Sequence, residues 1–141
     1  MDIKKLVIGG ITGGILYFFL GWLVYGNLLA EFMKTHPGTA TNVDRAMEDM
    51  NWMYLVIGNL VSGFLIAFIF VKGNVNSLAN GLVTGAILGL LMSTAFDTIM
   101  YATTNIVSKK MMLADVLASG AMGAVVGAVV GLVLGKLNKG A

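Results

Sequence analysis

Three polar residues stand within otherwise apolar stretches, and chemistry is most to be expected at these positions: Asp97, Asn59 and Asp115. An aspartate at the centre of a membrane-spanning helix costs roughly 2.5 to 3.5 kcal/mol on insertion scales, so it usually faces protein or a water-filled cavity. A carboxyl group in such a place can bind a proton or a cation. Asp115 carries a weaker signal, because the helix dipole also favours a carboxylate in a first helical turn.

Further polar residues recur at spacings that place them beside these three. On the segment that holds Asp97, polar side chains follow each other at intervals of three or four, which puts them on one helix face. When positions are counted from the ends of the apolar segments, polar residues from all four segments come at similar depth. The resulting prediction is one polar pocket, formed by Asp97, Asn59, Asp115, Tyr25, Ser119 and Thr98.

Two interpretations of this pocket stay open at the level of sequence. In the first, the pocket is a site open to the non-cytoplasmic side, and Asp97 binds a proton or cation. In the second, it is an interhelical hydrogen-bond cluster with a protonated or paired Asp97, since such contacts contribute about 0.6 to 2 kcal/mol and need no substrate.

The elements that must position these residues are four apolar segments. A helix needs roughly 20 apolar residues to cross about 30 Å of hydrocarbon, and such stretches occur at residues 6–30, 51–71, 81–104 and 112–135. Two of the connections between them are short, which favours antiparallel neighbours. The prediction is an all-α, transmembrane, up-down-up-down four-helix bundle that forms a single integral membrane domain over residues 1–141.

The connection between the first two segments is longer. A turn is predicted at residues 36–38, around Pro37. Residues 41–44 fit a capping box, so the second helix is expected to begin before its apolar segment.

Glycine recurs every fourth residue on the third and fourth apolar segments. Rows of small residues at this spacing let two helix backbones approach closely. Such rows predict tight helix pairing, either inside the bundle or between copies of it, at Gly81, Gly85, Gly89, Gly123, Gly127 and Gly131. Residues 12–16 also resemble residues 84–88, which an internal duplication or chance would explain.

Composition narrows the possible functions. The chain is 57% hydrophobic and only 11% charged, against about 25% charged in soluble domains. It has no cysteine and one histidine, His36, so no metal site or cofactor is predicted. The net charge of +2 is spread over segment ends, which argues against nucleic-acid binding. The expected partners are membrane lipids, further copies of the chain or another membrane protein.

Orientation rests on the basic residues. Five Lys or Arg residues fall on the side of the termini and four on the other side, which favours termini in the cytoplasm. Aromatic residues near the opposite ends of the segments resemble an interfacial belt: Trp22, Tyr25, Trp52, Tyr54 and Tyr101.

The segment 21–26, with Trp22 and Tyr25, followed by a polar loop, resembles the Trp-Tyr-Gly signature of small four-helix bacterial membrane proteins catalogued as domain of unknown function 1761. In that family the Trp directly precedes Tyr-Gly, whereas Trp22 stands three residues before Tyr25. The resemblance implies a four-helix protein of the bacterial inner membrane, and it supplies no activity or catalytic residue. In the second half of the chain, the resemblance to this family rests on Gly85, Gly89, Ala95, Phe96 and Asp115.

Three functions are compatible with these observations. The leading one is a non-enzymatic structural or accessory membrane component that packs through glycine faces and self-associates. The second is a small proton- or cation-coupled transporter or channel that uses Asp97. The third is a lipid-modifying enzyme that uses Asp97 and Asp115.

Overall fold

A computed structural model describes residues 1–139, in which every regular element is helical. The five α-helices are α1 (Ile3–Leu23), α2 (Ala30–Thr35), α3 (Trp52–Lys72), α4 (Leu78–Thr103) and α5 (Lys109–Lys139). A π-helical turn, Val24–Leu28, follows α1, and a 3₁₀ turn, Met47–Asp49, precedes α3.

Four of these helices are long and apolar enough to cross a membrane, as the sequence predicts. Capping side chains explain where two of them begin. Ser77 Oγ accepts a hydrogen bond from the backbone N–H of Asn80 at 3.2 Å, so α4 begins at Leu78 rather than at residue 81. Ser108 Oγ accepts from Met111 N–H at 3.2 Å, which starts α5 three residues earlier than predicted. Each hydroxyl satisfies an N–H that has no partner inside the helix.

The first apolar segment is not one continuous α-helix over residues 6–30. The backbone N–H of Leu29 donates to the carbonyl of Val24 at 2.7 Å, five residues back, where an α-helix would use four. The extra residue widens the turn Val24–Leu28, and α2 follows as a separate short helix. A hydrophobic pattern does not reveal one inserted residue, so the sequence prediction missed this turn.

The capping box predicted at residues 41–44 is also wrong. Residues 41–46 are not helical, and Asn42 has a left-handed backbone with φ 56°. The N-cap of α3 is Asn51, whose side-chain oxygen accepts from Tyr54 N–H at 3.3 Å.

The long connection is instead held by the loop between α4 and α5. Gly38 N–H donates to the carbonyl of Ile106 at 3.2 Å, and Ala40 N–H donates to that of Asn105 at 3.0 Å. Ser108 Oγ donates to the carbonyl of His36. These backbone acceptors lie far away in sequence, which explains why local capping rules did not apply.

The helices pack chiefly as two pairs, α1 with α3 and α4 with α5, and α1 also packs against α5. A buried cluster joins the pairs at the end of the molecule away from the long connection. It consists of Ile66, Phe70, Val126, Val130 and Leu134.

The backbones of α4 and α5 approach each other at glycine. A methyl group built on Gly127 would lie 2.8 Å from the Cα of Gly85, and one built on Gly131 would lie 3.0 Å from the Cα of Gly81. Gly123 lies against Gly85 and Gly89, and Gly89 lies against Ser119. No side chain larger than hydrogen fits at these positions without moving a backbone.

Candidate functional site

One serine bridges two carboxyl groups where α4 faces α5. Ser93 Oγ lies 2.6 Å from Asp97 Oδ2 and 2.9 Å from Asp115 Oδ2. Asp97 stands one helical turn after Ser93 on α4, while Asp115 comes from α5. The close approach of the two helices at Gly89 and Ser119 brings the carboxyls within reach of the same hydroxyl.

The number of available hydrogen atoms limits how this arrangement can be bonded. A serine hydroxyl carries a single hydrogen, so it donates to one carboxylate at a time. The other short contact is a hydrogen bond only where that carboxyl is itself protonated and donates to the serine oxygen. Ser93 is therefore fully bonded when Asp97 and Asp115 together carry one proton.

The polar network continues toward α1. Ser119 Oγ donates to Asp115 Oδ2 at 3.5 Å, and the Tyr25 hydroxyl lies 3.3 Å from Ser119 Oγ. Tyr25 belongs to the π-helical turn Val24–Leu28, and such turns recur at functional sites. The chain from Asp97 to Tyr25 thus connects α4, α5 and the end of α1.

Among the side chains described, those of residues 1–138, no positive charge balances the two carboxyls. In residues 1–138 the one ion pair joins Lys5 to Asp2, and neither Asp97 nor Asp115 contacts a basic side chain of that range. Asp97 is buried, at 6% exposure. Over the same residues, no buried side-chain nitrogen or oxygen lacks a hydrogen-bond partner. The polar atoms of the cluster are therefore satisfied by hydrogen bonds among neutral and acidic side chains.

A cavity of about 280 Å³, here called the carboxyl cavity, borders this cluster. Its polar wall contains Ser93, Asp97, Asp115, Ser119 and Tyr17. It opens at the molecular surface between α3 and α4, where its lining residues are exposed: Ser62, Leu65, Met92 and Phe96. Asp97 is therefore buried by its neighbours but not sealed from the outside.

A second cavity of about 410 Å³, here called the aromatic cavity, lies between α1, α3 and the 3₁₀ turn. Tyr25 and Asn59 supply its polar side chains, and Met122 lines both cavities. The remaining large side chains are apolar or aromatic: Phe18, Trp22, Trp52, Met47, Met50 and Leu55. Tyr25 thus stands between the aromatic cavity and the carboxyl network.

The structure brings four of the six predicted pocket residues into one network: Asp97, Asp115, Ser119 and Tyr25. The other two bond within their own helices. Asn59 Nδ2 donates to the carbonyl of Leu55 at 2.8 Å, and Thr98 Oγ1 donates to that of Thr94 at 2.6 Å. Asn59 still lines the aromatic cavity, whereas Thr98 is exposed.

The central residue, Ser93, was not among the predicted pocket residues. It does belong to the polar side chains that recur on one face of the third apolar segment, and it lies four positions before Asp97. That spacing was the available signal, because a hydroxyl one turn away from a carboxyl on a helix is a natural hydrogen-bond donor.

No group of three or more His, Asp or Glu side chains that could hold a metal ion occurs in the part of the chain described. His36 stacks on Phe32 with ring centroids 4.3 Å apart. Its Nδ1 lies 3.0 Å from the carbonyl oxygen of Phe32. His36 is thus engaged within the long connection, far in sequence from the carboxyl cluster.

Comparison of the chain with protein-family models, with curated proteins and with solved structures finds no match.

Proposed function

We propose that this chain is a proton-coupled small transporter of the bacterial inner membrane, in which Asp97 and Asp115 share the coupling proton. The observation that carries the proposal is the bridge from Ser93 to both carboxyls, which have no basic partner among residues 1–138. A cluster of ionisable groups inside a bilayer is costly, and such groups commonly mark ion and proton pathways.

The architecture belongs to the same proposal. The four apolar helices cross the bilayer in up-down-up-down order, with both termini in the cytoplasm, and the glycine contacts between α4 and α5 make a rigid pair. The carboxyl cavity then lies toward the non-cytoplasmic face. The resemblance to the domain of unknown function 1761 supports the bacterial setting.

Two observations favour transport over a structural or accessory role. Gly81, Gly85 and Gly127 are occupied by contacts inside the chain, so they supply no surface for a second copy. Helix packing also does not explain two carboxyls that border a cavity. Self-association is therefore a separate proposal that these glycines do not support.

The mouth of the carboxyl cavity argues against the lipid-modifying enzyme. Apart from Ser62, the exposed residues around it are apolar, namely Leu65, Met92 and Phe96. A polar or charged lipid headgroup would lose its hydration there without gaining polar partners.

Infrared spectroscopy on the full chain in lipid tests whether the carboxyl pair holds a proton. We expect a protonated-carboxyl band at neutral pH in the wild type. The band should disappear in Asp97→Asn or in Asp115→Asn, because the remaining carboxyl accepts from Ser93 without needing a proton. The matched control is Asp49→Asn in the exposed 3₁₀ turn, which should leave the band unchanged.

Transport is tested in proteoliposomes that carry an inside pH indicator and an imposed pH gradient. The wild type should relax the gradient faster than empty vesicles once a substrate is present, and Asp97→Asn should not. A wild type without the neutral-pH carboxyl band would remove the basis of the proposal.

A further inference from the structure

We propose that the substrate is a lipophilic organic monocation, which binds across the carboxyl cavity and the aromatic cavity in exchange for a proton. This inference rests on the proposed function and names the substrate class of the same site.

The carboxyl pair favours a positively charged ligand. Asp97 and Asp115 contact no basic side chain in residues 1–138, so within that range nothing but a proton or a bound cation would neutralise them. When a cation enters, the shared proton leaves the carboxyl pair for water, and one positive charge replaces another. The exchange leaves the net charge of the site unchanged. This matters because burying an additional net charge in an apolar setting is costly.

Size and lining separate an organic cation from a metal ion. A hard metal cation takes six or more oxygen ligands at short distance, and the described residues offer no such group. The carboxyl cavity, at about 280 Å³, is far larger than an ion. Leu65, Leu88 and Phe96 complete its wall, and these apolar side chains suit a hydrocarbon body.

The aromatic cavity supplies the second half of the site. Its aromatic residues are Phe18, Trp22, Tyr25 and Trp52, and ring faces attract cations, tryptophan most strongly. The Tyr25 hydroxyl reaches Ser119 at 3.3 Å, which ties this cavity to the carboxyl network. Its volume of about 410 Å³ falls in the range of small-molecule pockets.

The titratable groups around the site set the sign of its pH dependence. Asp97 comes from α4, Asp115 from α5, Tyr17 from α1 and Tyr25 from the π-helical turn, while α3 contributes only non-titrating polar groups. The tyrosines stay neutral in the working range, so the carboxyl pair decides. Acid fills the pair with protons and excludes the cation, and a higher pH admits it.

The probe is radiolabelled tetraphenylphosphonium, titrated onto the full chain in lipid nanodiscs at several pH values. We expect saturable binding that weakens by about tenfold for each unit of pH lowered, since one proton is exchanged for each cation. Binding in weakly buffered solution should release one proton for each tetraphenylphosphonium bound. Tetraphenylborate, which has the same shape and the opposite charge, should not bind saturably.

Three variants locate the site. Asp97→Asn should weaken tetraphenylphosphonium binding at least tenfold and remove its pH dependence. Trp22→Ala should weaken binding several-fold and keep the pH dependence. The control is Phe68→Ala, an exposed aromatic residue of α3 outside both cavities, which should change neither. Thermal melting of each variant verifies that it is folded.

The outcomes separate this inference from the proposed function. No saturable tetraphenylphosphonium binding, together with an intact carboxyl band at neutral pH, would overturn the substrate class and leave the proton site standing. Equal binding of the two probes, or binding without proton release, would likewise overturn it, because the site would then be merely apolar. Loss of the carboxyl band in the wild type would end both proposals.

Discussion

The pair α4 and α5 differs from the pair α1 and α3 in what lies at the contact. Between α4 and α5, glycine faces glycine, and an added methyl group at Gly127 would meet the backbone of Gly85. Between α1 and α3, glycine faces glycine only around Gly63, whose added methyl group would meet the backbone of Gly13, and the other α1 glycines at this contact lie against residues with side chains. Gly10 packs against the ring of Phe64, and Gly9 packs against Ala67.

The polar chemistry follows the same division. The pair α4 and α5 holds both carboxyls and Ser93, whereas α1 and α3 contribute the aromatic residues and Asn59. Close backbones without bulky side chains bring short polar side chains from two helices together. Beyond the Gly63 contact, an added Cβ on Gly21 of α1 or on Gly58 of α3 would meet no atom within 4 Å, and the aromatic cavity lies at this open end of the pair. The contact geometry thus places the carboxyls within one pair and the aromatic cavity at the open end of the other.

The largest effect is expected from Gly127→Leu, because the leucine side chain would be forced against the backbone of α4. Overpacking typically costs about 1 to 3 kcal/mol, and a contact with backbone on the other side should reach the upper end. Thermal unfolding in detergent should show a melting temperature lowered by about 6 to 12 °C. The control Gly58→Leu, with no atom within 4 Å of an added Cβ, should melt like the wild type.

Within the pair α1 and α3, two glycines should differ in their tolerance of a methyl group. An added methyl group at Gly63 would lie 2.7 Å from the carbonyl carbon of Gly13, whereas one at Gly10 would meet the Phe64 ring. We expect Gly63→Ala to destabilise the protein by about 2 kcal/mol and Gly10→Ala by about 1 kcal/mol, since a ring can turn and a backbone cannot. Equal melting temperatures for the two variants would refute this distinction.

Ser93→Ala should cost about 1 to 2 kcal/mol at neutral pH, because two carboxyls lose their bridging partner. Ser62→Ala is the matched control, since Ser62 Oγ donates only to Gly58 of its own helix, at 2.9 Å. Urea or thermal unfolding of both variants measures the difference. A Ser62→Ala effect as large as that of Ser93→Ala would mean that the bridge has no special weight.

Tyr25→Phe removes only the hydroxyl that reaches Ser119. We expect a loss of about 0.6 kcal/mol, the average for such hydrogen bonds between membrane helices. The same variant should leave the carboxyl band at neutral pH in place, since Ser93 is untouched. A vanished band would show that Tyr25 is needed to position the pair.

The smallest effect concerns the exposed start of α1. The backbone N–H of Lys5 donates to Asp2 and, with the Lys5 ammonium group, lowers the pKa of Asp2 from 3.8. A carboxyl whose pKa is lowered by folding stabilises the folded state above its unfolded pKa, and this stabilisation is lost as pH falls through the lowered value. Asp2→Asn should therefore speed hydrogen exchange of the Lys5 amide at neutral pH. The difference in exchange rate between Asp2→Asn and the wild type should shrink at pH values below the lowered pKa of Asp2.

Sequence reasoning located the helices better than their turns. Hydropathy and length predict four apolar helices, because a long apolar run is a local property of the chain. The widened turn at Val24–Leu28 and the start of α3 at Trp52 depend on one extra residue and on hydrogen bonds to a distant loop. No local pattern contains that information.

The same contrast holds for the candidate site. The type and depth of Asp97 and Asp115 drew attention to them from the sequence alone. Ser93 bridges the two carboxyls only because α5 places Asp115 opposite it. Asn59 is not part of the network because its side-chain amide donates to the carbonyl of Leu55 instead.

The sequence by itself determined that this chain forms four long apolar helices with carboxyl groups inside two of them. Composition and periodicity suffice for that prediction, because the apolar pattern of a helix is a property of contiguous residues. Only the tertiary structure decided that Asp97 and Asp115 share one hydroxyl and that the aromatic side chains enclose a cavity beside them. Those relations depend on the distance and rotation between helices, which contacts remote in sequence set.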